Sequence, residues 1–175
     1  MSSGQAFAIW ITGLPASGKS SITKELVRSL EARGISVVAL ESDAMREILT
    51  PEPTYSRDER EHFYRSLVLI GEHLTRSNVP VIFDATANRA AYRQRARSLI
   101  PRFVEVYVDC PLEVCRTRDP KGIYKRAASG TAATVPGVQD IYEPPEAPEV
   151  TLNCQDQPAA SAAIVLRYLS GQGYL

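Results

Sequence analysis

Gly13-Leu14-Pro15-Ala16-Ser17-Gly18-Lys19-Ser20 spells G-x-x-x-x-G-K-S between an apolar run, Phe7 to Ile11, and a helical pattern. Strand, loop and helix in that order are the context a phosphate-binding loop needs. The glycines let backbone N–H groups turn towards a polyphosphate, and the N-terminus of the following helix adds its dipole. In such a loop the lysine, here Lys19, reaches the β- and γ-phosphates, and the serine, here Ser20, ligates Mg²⁺. Gly13, Leu14, Pro15, Ala16, Ser17, Gly18, Lys19 and Ser20 are therefore expected to bind ATP with Mg²⁺.

The loop dictates the kind of fold, and the rest of the chain has to supply it. A chain of 175 residues allows one domain with a full core and leaves too few for two, so 1–175 reads as a single domain. Lys plus Arg and Asp plus Glu both number 20, and zero net charge argues against a nucleic-acid partner. Cys110, Cys115 and Cys154 are odd in number and lack metal spacing, which fits reduced thiols in a cytosolic protein, Cys110 and Cys115 in the core. Met1 to Gln5 is short and polar, with no targeting pattern. No apolar run is long enough to span a bilayer, so the expected location is cytoplasmic, without a membrane partner.

Five strands are expected, at Phe7–Thr12, Val37–Leu40, Val79–Phe83, Phe103–Val108 and Glu149–Leu152. Between them lie helical patterns. Ile22, Leu26 and Leu30 recur in steps of four, and Gly34 stops that helix. Ser56 and Glu59 form a capping-box pattern before Phe63, Leu67, Ile70 and Leu74. Asn88 is a candidate cap for a helix bearing Arg89, Arg93, Arg95 and Arg97, read as a solvated face with Arg89, nearest the site, as the candidate exception, and Ala159–Ser170 forms the last helix. Alternating strands and helices give an α/β fold, a three-layer P-loop NTPase with a mainly parallel five-stranded sheet. Ligands bind outside the carboxyl ends of such strands, where Gly13, Asp43 and Asp84 all fall.

Phosphoryl transfer rests on positioning and charge neutralisation. Lys19, Asp43 and Asp84 are the candidate catalytic residues, and Ser20 and Asp43 the candidate metal ligands. An aspartate at a strand end can equally be a helix cap. Arg46 and Arg60 could clamp an anionic acceptor or make surface ion pairs. The segment 116–148 carries Arg116, Arg118, Lys121, Lys125 and Arg126, then Gly130, Gly137 and four prolines from Pro136 to Pro148. Its length fits either a mobile lid closing over ATP or a solvated loop. His62 and His73 read as helix-surface residues and Trp10 as core.

Several stretches resemble the adenylyl-sulfate (APS) kinases. They are Ile11 to Ser20, then Leu40-Glu41-Ser42-Asp43 with Arg46, then Tyr55-Ser56-Arg57-Asp58-Glu59-Arg60. More specific are Phe103 to Cys115, running into Arg118-Asp119-Pro120-Lys121-Gly122-Ile123-Tyr124-Lys125, and Tyr142-Glu143-Pro144-Pro145-Glu146-Ala147-Pro148-Glu149. The resemblance implies ATP-dependent phosphorylation of the 3′-hydroxyl of adenosine 5′-phosphosulfate, with Mg²⁺. It implies that Asp43 serves as metal ligand or base, that Arg46 and Arg60 contact the phosphosulfate, and that Arg118 to Lys125 form the lid. Arg118 then joins the ATP-binding set, and Asp43, Arg46, Tyr55, Arg60, Phe63, Thr86 and Lys121 form the acceptor set. It leaves open a homodimer and a functional link to ATP sulfurylase.

The departures lie on the acceptor side. The family's D-G-D is Glu41-Ser42-Asp43, its acceptor-contacting asparagine falls on Phe63, and its I-S-P-Y-R stretch becomes Ala85-Thr86-Ala87-Asn88-Arg89. One of two aromatics that sandwich the adenine is Tyr55; the other position falls on Val135, and a nearby lid lysine on Ala133. Asp84-Ala85-Thr86-Ala87-Asn88 also resembles the D-A-T-N turn of other small P-loop kinases. Two further readings therefore stand beside APS phosphorylation: a kinase of another small hydroxyl-bearing metabolite, and a nucleotide-binding protein without turnover.

Overall fold

The structure, a computed structural model, describes residues 6–132 and 134–175. The reading of Met1 to Gln5 and the position Ala133 lie outside the described residues. At its centre is β1 (Ala8–Thr12), buried along its whole length. A strand covered on both faces needs apolar side chains at every position rather than every second one. β3 (Val81–Asp84) and β4 (Phe103–Asp109) flank it, with β2 (Val38–Glu41) and β5 (Val150–Asn153) outside them. The order is β2-β3-β1-β4-β5, and every pairing is parallel.

Parallel neighbours need crossovers, and helices supply them on both faces. α1 (Lys19–Glu31) and α7 (Pro158–Gly171) cover one face, where Leu26, Leu30, Val165 and Leu169 meet Ile9 and Ile11 of β1. α3 (Arg57–Arg76) and α4 (Ala90–Leu99) cover the other, where Phe63, Leu67, Tyr92 and Ala96 meet Ala8 and Trp10. The period-two alternation of β1 thus divides the core into two halves. Trp10 is core, as expected: it stacks on Phe83 at 4.5 Å between ring centroids, and its indole N–H donates to the Ala85 carbonyl at 3.0 Å.

The three-layer α/β fold matches the expectation, with strand ends shifted by one or two residues. Three helices were not foreseen as such: α2 (Ser42–Leu49), α5 (Leu112–Arg118) and α6 (Ile123–Ala128). The last two show that 116–148 is not a structureless connection. Within it Tyr124, Ala127 and Val135 are buried in the α1 side of the core.

Two local expectations need correction. Asn88 does not cap α4; Arg89 holds the N-cap position without a side-chain bond, and Glu143 accepts from the Ala90 N–H at 2.7 Å instead. The arginines of α4 are not all solvated. Arg93 is 1% exposed and donates to Glu105 at 2.6 Å, to the Glu143 carbonyl at 2.7 Å and to the Ala87 carbonyl. An arginine goes inward there because a carboxylate on β4 and two backbone carbonyls meet its planar fork. His62 and His73 are exposed, and all three cysteines are free and buried.

Candidate active site

The registers Ile11↔Asp84 and Glu41↔Asp84 set the ends of β1, β3 and β2 side by side. Gly13, Asp84 and Asp43 therefore open on one edge of the sheet. Gly13 has φ +153°, and a Cβ there would come within 2.8 Å of both the Val108 carbonyl oxygen and Ser17 Oγ. Only glycine lets the loop pass that close to β4. Gly18, at φ +106°, forms the N-cap of α1. The loop is thus a turn of backbone amides ending in a helix N-terminus.

Lys19 is buried, and its Nζ donates to the carbonyls of Gly13 at 3.0 Å and Leu14 at 2.8 Å. Burial pushes its pKa down, opposed first by the charge of Asp84. Asp84 is 4% exposed, and its Oδ2 has no hydrogen-bond partner among the described residues. A buried carboxylate oxygen left bare beside a buried lysine is costly in isolation. Ser20, on the first turn of α1, is exposed. These groups fit a magnesium nucleotide: Mg²⁺ takes few protein ligands and completes its shell with phosphates and water. Among the described residues no cluster of three His, Cys, Asp or Glu side chains could hold a metal alone.

Asp43 stands differently. It lies in the first turn of α2 with its side chain 68% exposed, and Lys121 Nζ donates to its Oδ2. That hydrogen bond is the main cause that raises the Lys121 pKa. So an ion pair joins the β2 edge to the segment between α5 and α6.

The acceptor candidates gather around α2 and the start of α3. Arg46 donates to Glu59 at 2.8 Å, and its guanidinium lies 3.9 Å from the Phe63 ring centre. Phe63 is fully buried beneath it. Arg60 donates to the carbonyls of Tyr55 at 3.1 Å and Thr134 at 2.5 Å, and to Asn88 Oδ1 at 3.3 Å. The Thr86 carbonyl accepts from Thr12 Oγ1 at 2.6 Å. Val135, at the second aromatic position, is buried, whereas Tyr55 is 42% exposed.

The segment 116–148 leans on the phosphate loop at several points. Arg118 donates to the Ser17 carbonyl at 3.4 Å and the Cys154 carbonyl at 2.7 Å. Tyr124 O–H donates to the Pro15 carbonyl at 2.9 Å. A Cβ at Gly137, whose φ is +83°, would strike Leu14 Cδ2 at 2.7 Å.

Sequence reasoning missed a second ring of residues. Asn88 links Arg60 to Asp140, to which its amide donates at 2.9 Å. Tyr142 O–H and Thr12 Oγ1 lie 3.0 Å apart, and Glu143 caps α4. The Y-E-x-P-E stretch was visible as a family mark; its physical task is to pin the return of the segment to β1 and α4.

A family model described as adenylylsulphate kinase matches residues 5–153. An adenylyl-sulfate kinase of Synechococcus sp. is 38% identical over 168 residues, covering 95% of this chain and 96% of the relative. One from Halothermothrix orenii is 33% identical over 176 residues, covering 100% of this chain and 95% of the relative. Among solved structures, the Mycobacterium tuberculosis APS kinase in complex with AMPPNP and APS superposes with a TM-score of 0.90 at 30% identity, covering 95% of this chain and 98% of that one.

Proposed function

The chain belongs to the adenylyl-sulfate kinase family, and from that premise we propose the reaction and the residues that carry it. The protein is an ATP-dependent phosphotransferase that moves the γ-phosphate to the 3′-hydroxyl of adenosine 5′-phosphosulfate. The observation that supports this most is the union of an intact phosphate loop with the Asp84 carboxylate at the end of the neighbouring strand, its Oδ2 without a partner among the described residues.

Gly13 to Ser20 cradle the triphosphate, with Lys19 leaving its two loop carbonyls to neutralise the transferring phosphoryl group. Ser20 and Asp43, with Asp84 beside them, would hold the metal, which when bound would shield phosphate charge. Asp43 and Asp84 are the groups available to orient or accept the acceptor hydroxyl proton. Arg46, Arg60, Tyr55, Phe63, Thr86 and Lys121 shape the acceptor side, and Arg118 the ATP side. With this reading go a single kinase domain over 1–175, a lid at 116–148, a cytoplasmic location, a homodimer and a functional link to ATP sulfurylase.

A second reading, phosphorylation of another small hydroxyl compound, is favoured by one observation. Val135 is buried, so Tyr55 lacks the aromatic counterpart expected across the base. The test is to incubate the purified protein with ATP, Mg²⁺ and APS beside a panel of phosphorylatable metabolites. The proposal expects the 3′-phosphorylated product with APS, abolished by Lys19→Ala. ATP binding without APS turnover contradicts it, and turnover on another compound supports the second reading.

A further inference from the structure

Ser56 caps α3, accepting from the Glu59 N–H at 3.2 Å. A capping box would return the Glu59 carboxylate to the backbone N–H of Ser56. Here that N–H turns to Thr54 Oγ1 at 3.3 Å, and Glu59 reaches further back along the chain. Its Oε2 accepts from the Thr54 N–H, from the Thr54 hydroxyl at 2.7 Å and from the Tyr55 N–H at 2.9 Å. Its Oε1 accepts from Arg46 at 2.8 Å. One carboxylate therefore ties the turn before α3 to a guanidinium on α2.

Tyr55 needs such a tie. Its φ of +56° lies in the left-handed region, which a bulky non-glycine residue seldom adopts unless its surroundings enforce it. Its carbonyl is held by Arg60, and its ring lies 5.0 Å from the Arg46 guanidinium and 5.7 Å from that of Arg60. Phe63, Arg46 and Tyr55 thus form a stack from the core to an exposed ring. Burial alone would raise the Glu59 carboxyl. The bonds from Thr54 and Tyr55, with the charge of Arg46, outweigh it and hold the carboxyl below its ordinary range.

Resting on the APS reading, we propose that Glu59 is a positioning residue for the acceptor. It fixes the exposed Tyr55 ring, backed by the Arg46 guanidinium, as a pre-formed surface on whose outer face the acceptor's purine stacks. Pre-forming that surface removes an ordering cost from acceptor binding and leaves the ATP half of the site untouched. An ionised carboxylate is required, because every group facing it is a donor. The amide of Glu59→Gln would turn N–H groups against Arg46 or against Thr54 and Tyr55.

The test measures kcat and both KM values for Glu59→Gln and for Thr54→Val, with amide exchange across 50–62. Glu59→Gln should raise the KM for APS about tenfold, the scale of part of a base-stacking contribution. Its kcat and its KM for ATP should stay within about twofold. Thr54→Val removes one donor and should move the same constant less. Exchange at Thr54 and Tyr55 should quicken in Glu59→Gln. An unchanged KM for APS, or kcat and both KM values shifting together, overturns the proposal. If the wild-type enzyme turns over no APS, the proposed function fails, and exchange still decides on Glu59: unchanged protection at Thr54 and Tyr55 overturns its role, and lost protection supports it.

Discussion

Lys121 donates to Asp43, so one of the two aspartates at the strand ends already holds a partner, while Asp84 Oδ2 has none among the described residues. The two carboxylates are therefore not equivalent. The exposed one closes an ion pair to the segment after α5. The buried one faces Lys19 and the phosphate loop with an oxygen free.

Asp84→Asn should therefore lower kcat by about two orders of magnitude or more, the scale at which a positioned acid–base or charge-organising group acts. It should change the melting temperature little, because relief of a buried charge whose Oδ2 has no hydrogen-bond partner among the described residues is offset by the loss of its charge beside the buried Lys19. Steady-state kinetics beside thermal melts check this. Loss of stability with activity retained would assign Asp84 to the scaffold.

Arg93→Met should destabilise the fold by about 3 kcal/mol, because it breaks a buried pair and leaves the Glu105 carboxylate only Arg97 at 3.4 Å. The loss should reach the return segment too, since Arg93 also holds the Glu143 carbonyl. Urea unfolding of the purified variant gives the number.

Gly71→Ala tests the packing of α3 on the sheet. Alanine is ordinarily the better helix residue by about 1 kcal/mol. Here its Cβ would meet Phe83 Cζ at 2.1 Å. Overpacking should win, for a net loss of about 1–3 kcal/mol in urea unfolding.

Glu149 supplies a pH dependence. Burial alone would raise its carboxyl, but Arg97 at 2.6 Å and the Glu105 N–H at 2.7 Å outweigh it and hold the carboxyl below its ordinary range. A depressed folded value means the unfolded chain binds the proton more tightly. The stabilisation is complete above the ordinary glutamate range and is lost as pH falls through the folded value. Wild type should therefore exceed Glu149→Gln in stability at neutral pH, and the gap should shrink on acidification below about pH 4. Paired denaturation curves at the two pH values check it.

The parts of this molecule that follow from local rules were legible in the sequence. The phosphate loop, the buried β1 and the three strand ends each rest on a few adjacent residues. The Ser56 cap did too, and Ser56 accepts from the Glu59 N–H; only the returning half of the box differs, because the Glu59 carboxylate answers to Thr54, Tyr55 and Arg46. Arg93 was read with its neighbours as solvated because Arg93, Arg95 and Arg97 on one short helix look alike in sequence. Which one turns inward depends on Glu105, which stands on another element. The links from Arg60 to Asn88 and Thr134 span 28 and 74 residues and leave no periodic trace. Long-range polar contacts were the part that sequence pattern does not carry.

The most direct measurement follows a labelled γ-phosphate from ATP, with Mg²⁺ and APS, on wild type and on Lys19→Ala. The account predicts that label appears on the 3′-oxygen of APS with wild type and not with Lys19→Ala. Wild-type protein that binds ATP yet leaves APS unlabelled, or Lys19→Ala that labels it as well as wild type, would contradict the account.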